Sequence, residues 1–242
     1  MQIEELSGRV ECAVNSTDTM NAIRLIDDLI QSDPGCNGNS IKGADLTASD
    51  RDRVLAHVYS KTYGPIIRST VSCRFCNEKF ELSFSLDDLL ASMLADSCGI
   101  TIESDGSFKT ANGHCFRLPT GADELAIQGM NKSDAAVELL KRCVVNGDPS
   151  VDMGEIEAVM EASAPQLNLD LDAKCPDCSK NQLIRFDIQT YLLSSLLQEK
   201  KLINYEVHLI ARTYGWSLSE IFSLKRSQRK AYASLIESDY CD

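Results

Sequence analysis

Two pairs of cysteines carry the clearest chemical signal in the sequence, Cys73-Arg74-Phe75-Cys76 and Cys175-Pro176-Asp177-Cys178. A Cys-x-x-Cys turn offers two thiolates to a metal ion, and structural zinc is bound tetrahedrally by four ligands of this kind. We therefore predict that Cys73, Cys76, Cys175 and Cys178 hold one zinc ion as a cofactor. Because four thiolates leave the metal no open position, this ion would stabilise the fold and take no part in catalysis.

The residues around the two pairs repeat at an offset of 102, the distance from Cys73 to Cys175. Strand-like sequence precedes each pair, at 66–71 and at 167–171. An alternating apolar and polar segment follows each pair and leads into apolar residues at helical spacing. Each half therefore predicts a strand, a Cys-x-x-Cys turn, a second strand and a helix. One half alone supplies too few ligands, so the two turns must face each other although 98 residues separate them.

The sequence leaves two alternatives to a zinc site open. The thiols could stay reduced without a ligand in two unrelated turns, or one pair could be a redox dithiol. A redox dithiol of the thioredoxin type lies after a strand at the N-terminus of a helix, whereas both pairs here lie between predicted strands. The six other cysteines and the three histidines show no ligand spacing, and Cys143 lies among apolar residues, as a small core residue would.

The remaining pattern predicts an α+β fold. A zinc-ribbon-like pair of Cys-x-x-Cys β-hairpins is separated by a mainly helical insertion and followed by a helical C-terminal region. Apolar periodicity and glycine and proline breaks define four segments. The first segment, 1–40, is N-terminal and contains one helix at 18–32, and the second, 41–98, contains a helix at 46–63 and the first zinc-knuckle half. The third, 99–165, is the insertion, with a hairpin and a helical subdomain whose helices lie near 122–130, 133–146 and 152–163. The fourth, 166–242, contains the second zinc-knuckle half and the C-terminal helices. Ser217 and Glu220 have the spacing of a capping box and predict the start of a short helix.

Composition and charge restrict the possible partners. The 242 residues include 36 acidic and 24 basic side chains, and the net charge of −12 disfavours nucleic acid and anionic membrane surfaces. Apolar runs stay below the roughly 18 residues of a membrane span. The N-terminus, from Met1 to Glu5, lacks the basic and apolar regions of a signal peptide. We therefore expect a cytoplasmic protein without a membrane partner, in which reduced thiols bind metal more readily than they form disulfides.

The sequence contains no signature of catalysis. It has no phosphate-binding Gly-x-x-x-x-Gly-Lys loop, no Gly-x-Gly-x-x-Gly, no His-Glu-x-x-His and no Gly-x-Ser-x-Gly motif. Adjacent carboxylates such as Asp27 and Asp28 point apart on a helix, so they cannot act together on one bond. We therefore expect a protein that is not an enzyme.

One cluster of basic residues offers a candidate binding surface. Lys225, Arg226, Arg229 and Lys230 lie in the last predicted helix, and three of them share a face. A solvated helix face is the simpler interpretation. The alternative is a docking site for an acidic surface of a partner protein, because opposite charge steers association.

Several short segments occur in a fixed order around the cysteine pairs. They are Lys42 to Leu46, Asp50 to Arg53, Thr62 to Gly64, Phe116 to Asp123, Phe186 to Gln189 and Tyr214 to Ser217. As an ordered set, from about residue 40 to 238, they resemble the T4-like baseplate hub assembly chaperones of contractile-tailed phages. The resemblance implies a protein made in the infected bacterium, or by a phage-derived injection system, that helps hub or wedge proteins of the baseplate to assemble. It implies no catalytic residues.

Three functions compete on this basis. The first is an assembly factor that acts by protein–protein contact, and the second is a permanent structural subunit of the baseplate. Both would be found in the cytoplasm of the bacterial host or producing cell, and a subunit would also be found in the finished phage or injection-system particle. The third is a zinc-ribbon regulator that binds nucleic acid, and the near-neutral balance of charged residues around the cysteine pairs disfavours it.

Overall fold

The computed structural model of the protein describes residues 3–30, 41–93, 101–103, 106–110, 113–146 and 153–239. Mixed helices and strands in these ranges confirm the predicted α+β class. The strands form three antiparallel sheets, namely two separate two-stranded hairpins and one four-stranded sheet. Cys36, Cys98 and Cys241 lie outside the described residues.

The N-terminal segment contains two helices, α1 (Gly8–Ala13) and α2 (Thr19–Leu29), so the prediction of one helix is wrong. Six residues are too few to show a helical period, and α1 depends on packing, because it buries Val10 and Glu11. The other helix, α2, agrees with the prediction of a helix at 18–32 within the described residues.

A 3₁₀ turn (Gly43–Asp45) leads from the N-terminal segment to α3 (Ala48–Tyr63), which agrees with the predicted helix at 46–63. Thr47 caps the start of α3, since its hydroxyl accepts a hydrogen bond from the backbone N–H of Asp50 at 3.1 Å. The helix ends at Gly64, whose φ of 91° is a left-handed value that glycine adopts readily.

Two β-hairpins contain the cysteine pairs. The first joins β1 (Ile66–Ser72) to β2 (Lys79–Ser85), and the second joins β7 (Asn168–Lys174) to β8 (Asn181–Asp187). Both pair over the full length of their strands and in the same register, once the numbers of the second hairpin are shifted by 102. The internal repeat that the sequence predicts is therefore confirmed at the level of residue pairing.

Each hairpin continues directly into a helix, α4 (Leu86–Ser92) in the first half and α8 (Ile188–Tyr214) in the second. The two halves also meet through equivalent residues. Phe84 and Phe186 are 102 positions apart, and their rings lie edge to face with centroids separated by 5.0 Å. The main hydrophobic core lies beneath them, between α2, α3, the first half of α8 and the bases of both hairpins.

The insertion between the halves consists of a small sheet and three helices. The sheet has the order β3 (Thr101–Ile102), β4 (Phe108–Lys109), β5 (Cys115–Phe116), β6 (Val144–Asn146). The helices are α5 (Gly121–Ala126), α6 (Lys132–Cys143) and α7 (Met153–Ser163). The predicted helix at 133–146 is too long, because residues 144–146 pair with β5 as a strand. Phe116, Leu140 and Ile156 form the buried centre of this region.

Close packing fixes the insertion to the N-terminal helices. The Gly121 N–H donates to the Leu46 carbonyl at 3.0 Å, and a Cβ on Gly121 would lie 2.8 Å from the Ile23 side chain. Arg51 on α3 pairs with Glu124 on α5 at 2.9 Å. These contacts join segments near 42–53 and 116–124, so packing accounts for part of the ordered set of segments that the sequence shows.

The C-terminal region folds back on the long helix α8. This helix ends at Gly215, with φ of 68°, and is followed by α9 (Leu218–Ser223) and α10 (Arg226–Asp239). Ser217 and Glu220 form the predicted capping box at the start of α9. A second hydrophobic core lies between the C-terminal half of α8 and these two helices.

The carboxylate of Asp52 lies where the chain returns from the insertion to the second hairpin. It is buried and accepts a hydrogen bond from the Leu167 N–H at 2.8 Å. Burial raises the pKa of Asp52 to about 6, although the Leu167 N–H and the Arg51 charge lower it in part. The folded state thus binds a proton that the unfolded state has already released, and stability is lost as the pH rises from about 4 to about 6.

We expect Asp52→Asn to remove this loss while its amide oxygen keeps the bond to Leu167. The variant should exceed wild type in free energy of unfolding by about 1–2 kcal/mol at pH 7.5, and the difference should shrink towards pH 4. Urea unfolding of both proteins across this range is the measurement, with exposed Asp172→Asn as the control. A variant that is less stable than wild type at pH 7.5 would contradict the assigned cost of burying this charge.

Candidate metal centre

Each Cys-x-x-Cys turn is shaped by backbone hydrogen bonds around its first cysteine. In the first turn the Cys73 N–H donates to the Glu78 carbonyl at 2.9 Å, and the Asn77 N–H donates to the Cys73 carbonyl at 3.0 Å. The second turn repeats both bonds at Cys175, with lengths of 3.0 Å. Asn77 and Ser179 occupy equivalent positions and have φ values of 62° and 58°. This tight turn places both cysteine side chains of a pair on the same side.

The two turns bring the four predicted cysteines together. All four sulfurs lie within 4.8 Å of one another. Across the two halves, Cys73 Sγ is 3.6 Å from Cys178 Sγ, and Cys76 Sγ is 3.7 Å from Cys175 Sγ. Cys73 and Cys175 are buried, whereas Cys76 and Cys178 are half-buried. A group of four thiols at this spacing can hold one metal ion.

The protonation of the thiols reflects their crowding. The Phe75 N–H donates to Cys73 Sγ at 3.4 Å and lowers the pKa of this thiol to about 6. The Glu78 N–H lowers the pKa of the Cys76 thiol, but burial and hydrogen bonds to the other three cysteines outweigh it and raise this pKa to about 12. The Cys76 thiol therefore resists ionisation, and a divalent cation bound by the cluster would stabilise its thiolate.

The surroundings of the thiols are mostly apolar. Phe80 and Ala173 pack against the cysteines from the two hairpins. The Gln182 side chain joins the turns, since its Oε1 accepts a hydrogen bond from the Arg74 N–H at 2.8 Å. Lys180 Nζ lies 4.8 Å from the centre of the Phe75 ring, again linking one turn to the other. The two turns therefore contact each other beyond the sulfurs.

The other described cysteines lie elsewhere. Cys143 is buried against the small sheet of the insertion, as its sequence context predicts, and burial raises the pKa of its thiol to about 11. Cys12 and Cys115 are half-buried on other elements. Within the described part of the chain, the cysteine tetrad is the only group of histidine, cysteine or acidic residues placed to hold a metal.

The family model of the T4 bacteriophage base plate protein matches residues 9–193, about three quarters of the chain. The chain belongs to this family. The match covers all four cysteines and starts in α1, so it reaches further towards the N-terminus than the resemblance from residue 40. No curated protein and no solved structure matches the chain. No helix in the described ranges is long and apolar enough to cross a membrane.

The basic cluster of this baseplate protein is not the surface patch that the sequence suggests. Arg226 and Arg229 are buried, with 5% and 0% of their surface exposed. Only Lys225 and Lys230 remain exposed. Helical spacing placed the arginines on one face correctly, but it could not show that this face packs against acidic residues. The prediction of a four-residue docking surface at 225–230 is therefore corrected.

Three glutamates, none of them singled out from the sequence, pair with these arginines. Glu11 on α1 pairs with Arg226 and, at 2.6 Å, with Arg229. Arg229 Nε also lies 2.7 Å from Glu206 on α8, and Arg226 lies 2.6 Å from Glu199 on the same helix. The network ties both ends of the chain to α8. Glu11 lies in a helix of six residues, which is too short to show a helical period, so no sequence signal pointed to its role.

Proposed function

We propose that this protein is a non-catalytic assembly factor for the baseplate of a contractile phage tail or phage-like injection system, and that it contains one structural zinc ion bound by Cys73, Cys76, Cys175 and Cys178. The metal assignment rests on the four cysteine sulfurs, which all lie within 4.8 Å of one another. Thiolates from two facing Cys-x-x-Cys turns are the ligand set of a zinc ribbon, and soft thiolate ligands suit zinc.

The position of the four ligands in the chain indicates what the ion would do. The two pairs are 98 residues apart, and the whole insertion lies between them. The hairpins are separate two-stranded sheets that no strand joins within the described residues. A metal bound by both turns would hold the halves together and close a long loop, so binding energy would become folding energy.

Two observations support the role in assembly. Membership of the base plate protein family supports a role connected with the baseplate. The ordered segments from 42 to 217 resemble assembly chaperones of the hub, which act on hub or wedge proteins by contact. A metal with a filled thiolate shell offers no position for a substrate, which supports a role through binding surfaces.

The description of the family as a base plate protein favours one alternative, a permanent structural subunit. Quantitative mass spectrometry of finished particles separates the two roles. We expect the protein to be absent or far below the copy number of hub proteins, yet to copurify with them from cells in which assembly is under way. A copy number that matches the symmetry of the particle would replace the assembly factor by the structural subunit.

A further inference from the structure

A groove of about 550 Å³ separates the helical insertion from the second hairpin. One wall is the face of α6 that presents Leu139, and another is the face of α7 that presents Glu157, Met160 and Glu161 at spacings of three and four residues. Leu169 of β7 lies on the opposite side. The groove is thus a mostly apolar channel bounded by helix faces, which is a shape that accepts a further helix.

The groove has negative charge on one side. Glu157 and Glu161 are exposed one turn apart on α7, and neither forms an ion pair with any described residue. Arg185 is the only basic residue among the described residues that line the groove, and Asp170 lies 3.6 Å from it. A ligand of this groove therefore meets two carboxylates that no described residue neutralises.

We propose that the groove binds an amphipathic helix of another baseplate protein. Apolar residues of that helix would pack against Leu139 and Met160, and Lys or Arg residues at a spacing of three or four would pair with Glu157 and Glu161. This inference rests on the proposed function, since it names the chemistry of the partner through which the protein acts.

A second copy of this chain is a poor occupant of the groove. Each copy has a net charge of −12, so two copies repel each other. Helix α10 has the most basic segment, but Arg226 and Arg229 are already paired inside the fold. The positive charge must therefore come from a different protein.

Photo-crosslinking in cells that produce the particles tests the groove directly. The crosslinking amino acid p-benzoylphenylalanine replaces Ala136, which lines the groove, or Ala162, which is exposed on α7 outside it. From position 136 we expect a crosslink to a baseplate protein, within a segment that has Lys or Arg residues three or four positions apart. Position 162 is the matched control and should give no such product.

Charge reversal supplies the second measurement, made on the purified partner found by crosslinking. Glu157→Lys combined with Glu161→Lys should weaken the affinity about tenfold or more, and the loss should be larger at low salt. Glu138→Lys is the control, since Glu138 lies on the opposite face of α6 and its exposed pair with Arg142 contributes little. Circular dichroism checks that the variants are folded.

Several outcomes would overturn the inference. They are an absent crosslink from position 136, a crosslink to a second copy of this chain or to a segment without basic residues, and an unchanged affinity of the double variant. If wild-type protein still copurifies with baseplate proteins in these cases, the proposed function stands and only the groove assignment fails. Loss of all association with baseplate proteins would refute the proposed function as well.

Discussion

Replacing Cys175 by serine should abolish stoichiometric zinc and lower the free energy of unfolding by at least about 3 kcal/mol, because metal binding and folding are coupled in sites of this type. The side chain is fully buried, and the other three sulfurs surround it. Plasma mass spectrometry should find about one zinc per wild-type chain. Urea unfolding of wild type and variant measures the difference in stability.

The internal repeat provides a strong control for this result. Cys73 is the equivalent of Cys175 in the first half and is also buried, so Cys73→Ser should cause a similar loss of zinc and stability. Cys115→Ser, in the insertion, should leave the zinc content unchanged. Full stability of metal-free wild-type protein, or iron in place of zinc, would refute the zinc assignment.

Replacing Arg229 by methionine should destabilise the protein by about 3–5 kcal/mol, because it leaves the buried carboxylate of Glu206 without its partner and leaves Glu11 with Arg226 alone. Arg229 has no exposed surface and lies 2.6 Å from Glu11 and 2.7 Å from Glu206. Removing the arginine would therefore leave one negative charge, on Glu206, without a counter-ion in the protein interior. Thermal and urea unfolding measure the loss.

Lys230→Met is the matched control on the same helix, since Lys230 is exposed, and it should change stability by less than about 0.5 kcal/mol. Adding Glu206→Gln to Arg229→Met should recover part of the loss, because the second change removes the charge that the first leaves uncompensated. Equal and small effects at 229 and 230 would mean that both side chains are solvated, and the buried network would then be wrong.

Local chemistry and periodicity predicted the cysteine centre well. The Cys-x-x-Cys spacing by itself predicts a tight turn. The same alternation of apolar and polar residues around Cys73 and Cys175 showed that the two turns belong to one repeat. The capping box of Ser217 and Glu220 was likewise visible, since a cap depends on residues only a few positions apart. These features depend on residues that are close in sequence, or on a repeat whose two halves are 102 positions apart.

Tertiary contacts decided the features that have no local signal. Arg226 and Arg229 have the spacing of a solvated basic face, yet Glu11, more than 200 residues earlier in the chain, makes that face part of the interior. Residues 144–146 continue a helical pattern but pair with β5 instead, because an adjacent strand edge was available. The groove beside α7 exists because the insertion, the start of α3 and the second hairpin come close together in the folded chain. The sequence by itself determined the four clustered cysteines and the repeated half. Burial of charge and the shape of the groove required the folded chain, since both depend on which distant residues become neighbours.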